Sequence, residues 1–489
     1  MSRARAVMVL GCTSGAGKSW LATALCRWYA RQGLRVLPFK AQNMSNHARV
    51  VARQASLGGG VGEIGSAQYF QALAAGAAPD TRMNPVLLKP EADTRSQVVL
   101  MGRVAPELTA VPWRERSARL WPVAREALAS LQADADVLVI EGAGSPAEIN
   151  LAASDFVNTS TALAAQAACL LVSDIDRGGA FAHLYGTHAL MDARVRDQLR
   201  GFVLNRFRGD AALLAPGPEM LRQRTGVPTL AVVPLLRGHG LPEEDAVPAD
   251  DTGAAGAPCI VVLATPHASN LDEFEPLRAA GLALRFVRDA ADIAPADWLV
   301  VPGSKHTRAD LAWVRAQPGL AEALRAHAAA GKPLLAVCGG LQWLGAVVDD
   351  PQGREGELPG GDAGLGLLPL HTRFGADKQL SRAEFRFGAL DGAWAPLSGL
   401  AVSGYEIHLG RTVTVGEPLR AAVPELPGLG WQHGAVLALY LHGLFENPTV
   451  VHTLFGRHAV PLEASFERLA DAVDAAFAPG SLMGLLRPR

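Results

Sequence analysis

Short, uninterrupted apolar runs recur along the chain and are separated by helix-length amphipathic stretches. Residues 6–10 read as a strand, 17–31 as a helix and 34–39 as a strand. Further strands are expected at 137–140, 169–172, 202–204 and 229–233. Continuous rather than alternating apolar runs indicate strands covered on both faces, as in a parallel sheet flanked by helices. The pattern breaks over 237–258, a stretch rich in Gly, Pro and acidic residues that reads as a surface connection. It resumes with strands at 260–264, 299–301 and 333–337 and a helix at 320–330; 353–366 reads as a Gly-rich loop and 462–477 as a closing helix. The chain is therefore expected to be α/β, with one domain over 1–236, a linker over 237–258 and a second domain over 259–489.

Composition narrows this picture. A chain of 489 residues with 49% hydrophobic residues can bury several cores, at ~100–200 residues per domain. A formal net charge of −2 offers no broad basic field for nucleic acid or an anionic membrane. Five scattered cysteines without a CxxC pair fit a reducing compartment and argue against a disulfide frame or thiolate zinc site. No apolar stretch reaches the ~18 residues of a membrane span, and the first apolar run is too short for a secretory signal, so a cytoplasmic protein is expected.

The first candidate chemistry is Gly11-Cys12-Thr13-Ser14-Gly15-Ala16-Gly17-Lys18-Ser19. A strand runs into a loop of small residues and then a helix, so backbone N–H groups and the helix dipole converge on a phosphate. Gly15 and Gly17 shape the loop, Lys18 reaches the β- and γ-phosphates, and the Ser19 hydroxyl suits Mg²⁺. The loop is one residue longer than G-x4-G-K-[ST]. In this it resembles dethiobiotin synthetase and its relatives, which activate carboxylates as acyl phosphates; Thr13 stands where partition ATPases carry a second lysine. Lys40 follows the second strand and can reach the transferred phosphoryl group. Glu141 ends a strand before Gly142-Ala143-Gly144 and is a candidate Mg²⁺ ligand, with Glu63 as a second. Asp174 and Asp176 should lie on the same sheet edge and contact metal or substrate, and Asn205 is a candidate for the nucleotide base.

The second candidate chemistry is Val337-Cys338-Gly339-Gly340, a strand, a sharp turn and a helix start. Such an elbow exposes the thiol and favours thiolate. The Gly339 N–H and the Gly303 region of Pro302-Gly303-Ser304 are the expected oxyanion donors. His442 in Tyr440-Leu441-His442-Gly443 is the expected base, ahead of His371, His408 and His433. Tyr405 and His408, in Gly404-Tyr405-Glu406-Ile407-His408, are assigned to an interdomain or substrate region.

In this order the motifs resemble the cobyric acid synthase family of glutamine-hydrolysing amidotransferases. The resemblance is carried by Phe39-Lys40-Ala41-Gln42-Asn43-Met44, Arg82-Met83-Asn84-Pro85, Glu141-Gly142-Ala143-Gly144-Ser145-Pro146, Asp174-Ile175-Asp176-Arg177-Gly178-Gly179, Asn205-Arg206-Phe207-Arg208-Gly209-Asp210 and Tyr440-Leu441-His442-Gly443-Leu444-Phe445. It implies a dethiobiotin synthetase-like P-loop domain followed by a class I-like glutamine amidotransferase domain, with Cys338 as nucleophile and His442 as its partner. It also implies ATP with Mg²⁺, L-glutamine and a corrinoid substrate. The reaction implied is amidation of the b, d, e and g carboxylates of adenosylcobyrinic acid a,c-diamide. Ordinary class I amidotransferases place a Glu two residues after the histidine; Leu444 stands there, so what orients His442 is open. Amidation of the a and c carboxylates is the rival within this chemistry. A regulatory P-loop ATPase with a partner-binding C-terminal domain is the rival outside it.

Overall fold

The computed structural model describes residues 3–92, 94–241, 253–254, 256–355, 359–416 and 418–488. Most of the expected linker, and part of the Gly-rich loop at 353–366, lie outside the described residues. Within that loop, Gly360–Ala363 forms a short strand.

The first sheet has six strands, all parallel. From edge to edge they are Thr229–Pro234, Leu199–Phe207, Ala168–Asp174, Arg5–Gly11, Val137–Glu141 and Val36–Phe39. The Arg5–Gly11 strand is central, and its residues 6–10 are buried on both faces, as their unbroken apolar character requires. Glu141 and Asp174 end the strands on either side of it. The loop after Gly11 therefore emerges between two strand-end carboxylates at the carboxyl edge of the sheet.

The second sheet has seven strands in the order Ala283–Val287, Cys259–Leu263, Trp298–Val301, Leu334–Val337, Val436–Leu439, Gly430–His433 and Arg420–Ala421. The first five are parallel and the last two antiparallel. Val337 pairs with Leu439, so the residues that leave these two strands, Cys338 and His442, emerge side by side. Far separation in sequence is erased by one parallel pairing.

Smaller elements join the two sheets. The antiparallel pairs Ala48–Ala52 with Val61–Gly65 and Gln379–Arg386 with Ala401–His408 face each other. Their contact buries Ala48, Val50, Leu87, Val99, Tyr405 and Ile407 in a small core shared by both halves.

The closing helix, Leu462–Ala476, forms as its amphipathic pattern predicts but does not pack on the sheet that precedes it. Phe466, Leu469, Ala470 and Val473 share a core with Leu21, Leu25 and Tyr29 of the helix Lys18–Arg31. Arg27 bonds Glu467 at 2.6 Å, and the Trp28 indole donates to Asp474 at 2.7 Å. A division into 1–236 and 259–489 thus fails at the C-terminus: the last helix covers the first sheet. Apolar periodicity specifies that a face is buried, not which surface buries it.

Candidate active site

Two groups of side chains stand out. The first surrounds the loop after Gly11. Gly17 has φ of 92°, and a Cβ there would sit 1.9 Å from the Asn205 amide nitrogen, so only glycine fits. Gly15 has φ of 70°, with the Arg177 guanidinium 3.7 Å from where its side chain would begin. The Lys18 ammonium donates to the Thr13 carbonyl at 2.9 Å and to the Gly144 carbonyl at 3.2 Å. Ser19 Oγ and Lys40 Nζ each lie 2.8 Å from Glu141 Oε1. Gln71 donates to the other Glu141 oxygen at 2.5 Å. Burial opposes charge on Glu141, but Lys40 and these donors hold its carboxyl below the ordinary range. Lys18, Ser19, Lys40 and Glu141 are thus brought together.

The remaining residues expected near this loop divide. Asp174 lies at the adjoining strand end, accepts from the Asp176 N–H at 2.9 Å and approaches Arg206 at 3.2 Å and Arg177 at 3.4 Å. Asp176 is paired with Arg208. Asn205 donates to the Ala16 carbonyl at 3.0 Å, so its amide braces the phosphate loop. Glu63 is not at this site. Its two carboxylate oxygens are taken by Lys89 and Lys378, so it does not fit a metal ligand. Burial disfavours the Glu63 charge, but Lys378 and Lys89 hold its pKa down to about 2. Burial, with Lys89 beside it, pushes Lys378 down to about 7 despite Glu63. One carboxylate cannot neutralise two ammoniums, and Lys378 is the cation left in surplus.

An oxygen donor set fits Mg²⁺. Ser19 Oγ and a Glu141 oxygen converge beside the phosphate loop, and no cluster of three or more His, Cys, Asp or Glu suited to a metal occurs among the described residues. Mg²⁺ characteristically takes one or two protein oxygens and completes its shell with water and phosphate.

The second group surrounds Cys338. Its φ of 49° and ψ of −110° give the sharp elbow the sequence predicted, with strain that L-residues rarely adopt. The thiol is buried, 3.5 Å from the Ile407 carbonyl, and lines the same pocket as His442. A Cβ on Gly303 would meet the His442 ring at 2.8 Å, and one on Gly339 would meet Ser304 at 2.6 Å. Both candidate oxyanion glycines therefore border the thiol–imidazole pair. The His442 Nδ1 lies 2.9 Å from Glu273 Oε1, and the other Glu273 oxygen accepts the Gly443 N–H at 2.6 Å. Burial alone would lower the His442 pKa; the Glu273 carboxylate, with Cys338 nearby, overrides it and pushes it up to about 10. Glu273 lies 98% buried on a short turn, Leu271–Phe274, far upstream of the histidine.

Tyr405 and His408 belong to this second group. The Tyr405 ring stacks on His442 at 5.4 Å, and its hydroxyl bonds Arg49 of the first half. His408 stacks on Tyr440 at 3.8 Å and shares a pocket wall with Cys338. Asn46, Lys89 and Gln97, all from the first half, line the same pocket.

Comparisons with known proteins agree with two catalytic halves. A family model described as the CobQ/CobB/MinD/ParA nucleotide binding domain matches residues 7–240. One described as the CobB/CobQ-like glutamine amidotransferase domain matches residues 259–450. The chain is 61% identical to a protein of Methylibium petroleiphilum named cobyric acid synthase, over 99% of this chain and 97% of that one. It is 59% identical to the cobyric acid synthase of Leptothrix cholodnii, covering 100% and 98%, and 59% identical to that of Variovorax paradoxus, covering 99% of each.

Proposed function

The chain belongs to the cobyric acid synthase family, and from that footing we propose how its two sites divide one amidation. It is an ATP- and glutamine-dependent ligase of cobalamin biosynthesis. The substrate in our reading is adenosylcobyrinic acid a,c-diamide, converted at its b, d, e and g carboxylates to adenosylcobyric acid.

A carboxylate is a poor electrophile, and phosphorylation makes it reactive. Lys18 and Lys40 stabilise charge on the transferring phosphoryl group, and the loop N–H groups hold the remaining phosphates. Ser19 and Glu141 would hold Mg²⁺, which when bound would supply positive charge against the phosphates. Lys40 shares the Glu141 oxygen with Ser19, so one carboxylate orients both the cation and the metal-binding hydroxyl.

At the other site the Cys338 thiolate attacks the glutamine amide carbon. The oxyanion meets N–H groups at Gly339 and near Gly303. His442 gives its proton to the departing ammonia, and water then hydrolyses the glutamyl thioester. Glu273 takes the part of the missing third member: it fixes the imidazole through Nδ1 and favours its protonated form. That hydrogen bond is the observation that carries the thiol site. Asn46, Lys89 and Gln97 of the nucleotide-binding half line the thiol pocket, which supports release of ammonia on the side of that half.

The test is mass spectrometry of the corrinoid after incubation with enzyme, Mg-ATP and glutamine. Four successive acid-to-amide changes support the reading. ATP cleavage and glutamate release with an unchanged corrinoid would remove this substrate.

A further inference from the structure

Arg49 is the largest fully buried charged side chain among the described residues, and the sequence gives it no evident task. It lies on the strand Ala48–Ala52 of the nucleotide-binding half and is 1% exposed. Its guanidinium lies over the Tyr69 and Phe70 rings of its own half, but its ion-pair and hydrogen-bond partners belong to the amidotransferase half. One terminal nitrogen lies 2.6 Å from Asp272 and 2.7 Å from Glu446. The approach to Asp272 is too oblique for a hydrogen bond, so that contact is an ion pair. The other terminal nitrogen donates to the Tyr405 hydroxyl.

Each partner adjoins the catalytic histidine. Asp272 precedes Glu273. Tyr405 stacks on the His442 ring, and their backbones exchange hydrogen bonds at 2.8 and 3.2 Å. Next to Arg49, the Ala48 N–H donates to Asn270 Oδ1 at 2.8 Å, and the Asn270 amide lies 3.4 Å from His442 Nδ1. One strand of the first half therefore touches both supports of His442: the turn that carries Glu273 and the tyrosine under the ring.

We propose that Arg49 is a positioning residue for His442, through which the nucleotide-binding half holds the Asn270–Phe274 turn in place. Glutamine is then cleaved efficiently only while the two halves are seated. The electrostatics give the reason. Asp272, Glu273 and Glu446 crowd around one arginine and one imidazole. Without the guanidinium, the half-exposed Glu446 and the buried Asp272 lose their counter-charge, and Asp272 must take up a proton or turn toward water. Either change disturbs Glu273. Arginine suits the task because its planar fork serves two carboxylates and a hydroxyl at once, which a lysine cannot. The inference rests on Cys338, His442 and Glu273 forming the glutaminase.

The full-length variants Arg49→Met, Arg49→Lys and Tyr405→Phe test it through three readouts: glutaminase kcat and KM, alkylation of Cys338 by iodoacetamide, and amidation driven by ammonium. Misorienting a catalytic imidazole costs up to ~10⁴-fold, so an indirect effect on the order of 10²-fold in kcat is expected for Arg49→Met, with KM little changed. Alkylation slows with it, ammonium-driven amidation persists, and Arg49→Lys restores only part of the rate. Tyr405→Phe keeps the ring stack and loses only the hydroxyl, so a smaller fall of about 3–10-fold in kcat is expected. Tyr405→Phe decides the matter if Arg49→Met does not fold. Parental kcat in Tyr405→Phe and in any folded Arg49→Met, or a loss confined to KM, overturns the proposal. Glutaminase activity surviving in Cys338→Ala would instead overturn the reading beneath it.

Discussion

The phosphate site and the thiol site are built in opposite ways. Lys18, Ser19, Lys40 and Glu141 all leave the carboxyl edge of one parallel sheet, within a turn of adjoining strands. Cys338 and His442 also leave adjoining strands, but the groups that prepare them do not. Glu273 comes from a turn near the start of the second half, Tyr405 from a peripheral strand pair, and Arg49 from the other half of the molecule. A phosphate needs a loop, a dipole and a few fixed charges, which one strand–loop–helix unit can carry. A thiol that must attack at neutral pH needs a tuned neighbour, and tuning draws on everything buried around it.

The contrast can be broken first by removing the nucleophile. Cys338→Ala should reduce glutamine-driven amidation by ~10⁴-fold or more, yet leave the ammonium-driven reaction intact. Lys18→Ala should abolish amidation from either nitrogen source; a glutamine-only defect there would mean the sites are not divided as described. Glu141→Gln should fall next in size. It should lower both amidations by roughly 10²–10³-fold, as for loss of one preorganised electrostatic contact, while hydrolysis of glutamine continues. Because Lys40 and Glu141 are a buried pair, the same variant should lose about 3–5 kcal/mol in denaturant unfolding.

Three further effects sharpen the comparison at its borders. Phe466→Ala should cost about 3–5 kcal/mol of stability, because its ring is fully buried against the helix after the phosphate loop. The defect should appear in the unfolding of the first half. Loss of the exposed Arg31–Asp471 pair should cost no more than about 1 kcal/mol. Lys378→Met should be smallest, neutral or stabilising by about 1 kcal/mol, since it leaves Glu63 and Lys89 matched one to one. The sign with pH follows from a lysine whose folded pKa, about 7, lies below its unfolded value. The cost of burying its charge is full below pH 7 and fades as pH rises toward the ordinary lysine range. The advantage of Lys378→Met should therefore shrink above pH 7, as melts at two pH values would register.

What the sequence made legible follows the same division. The phosphate loop, Lys40, Glu141, Cys338 and His442 were readable because each sits at a strand end beside glycines or small residues. Glu273 was not: Leu271-Asp272-Glu273-Phe274 looks like an ordinary acidic helix start, and only the fold brings it to Nδ1. Glu63 misled for the converse reason. A carboxylate flanked by glycines in Gly62-Glu63-Ile64-Gly65 resembles a metal ligand, but its strand belongs to the small pair joining the two halves. Tyr405 and His408 were assigned to an interdomain or substrate region, and Tyr405 does bond Arg49 across the halves; its ring stacking on a distant histidine leaves no trace in local sequence.

The central claim is that a buried carboxylate from outside the histidine motif completes the thiol site. Glu273→Gln tests it while keeping the shape of the side chain. Glutaminase kcat and the pH profile of Cys338 alkylation should be measured together in parent and variant. Without the carboxylate charge, burial lowers the proton affinity of His442, so less imidazolium and less thiolate exist at neutral pH. The account predicts a fall in kcat on the order of 10²–10⁴-fold, an alkylation profile displaced to higher pH, and an undiminished ammonium-driven reaction. A variant with parental kcat and an unmoved alkylation profile would contradict it.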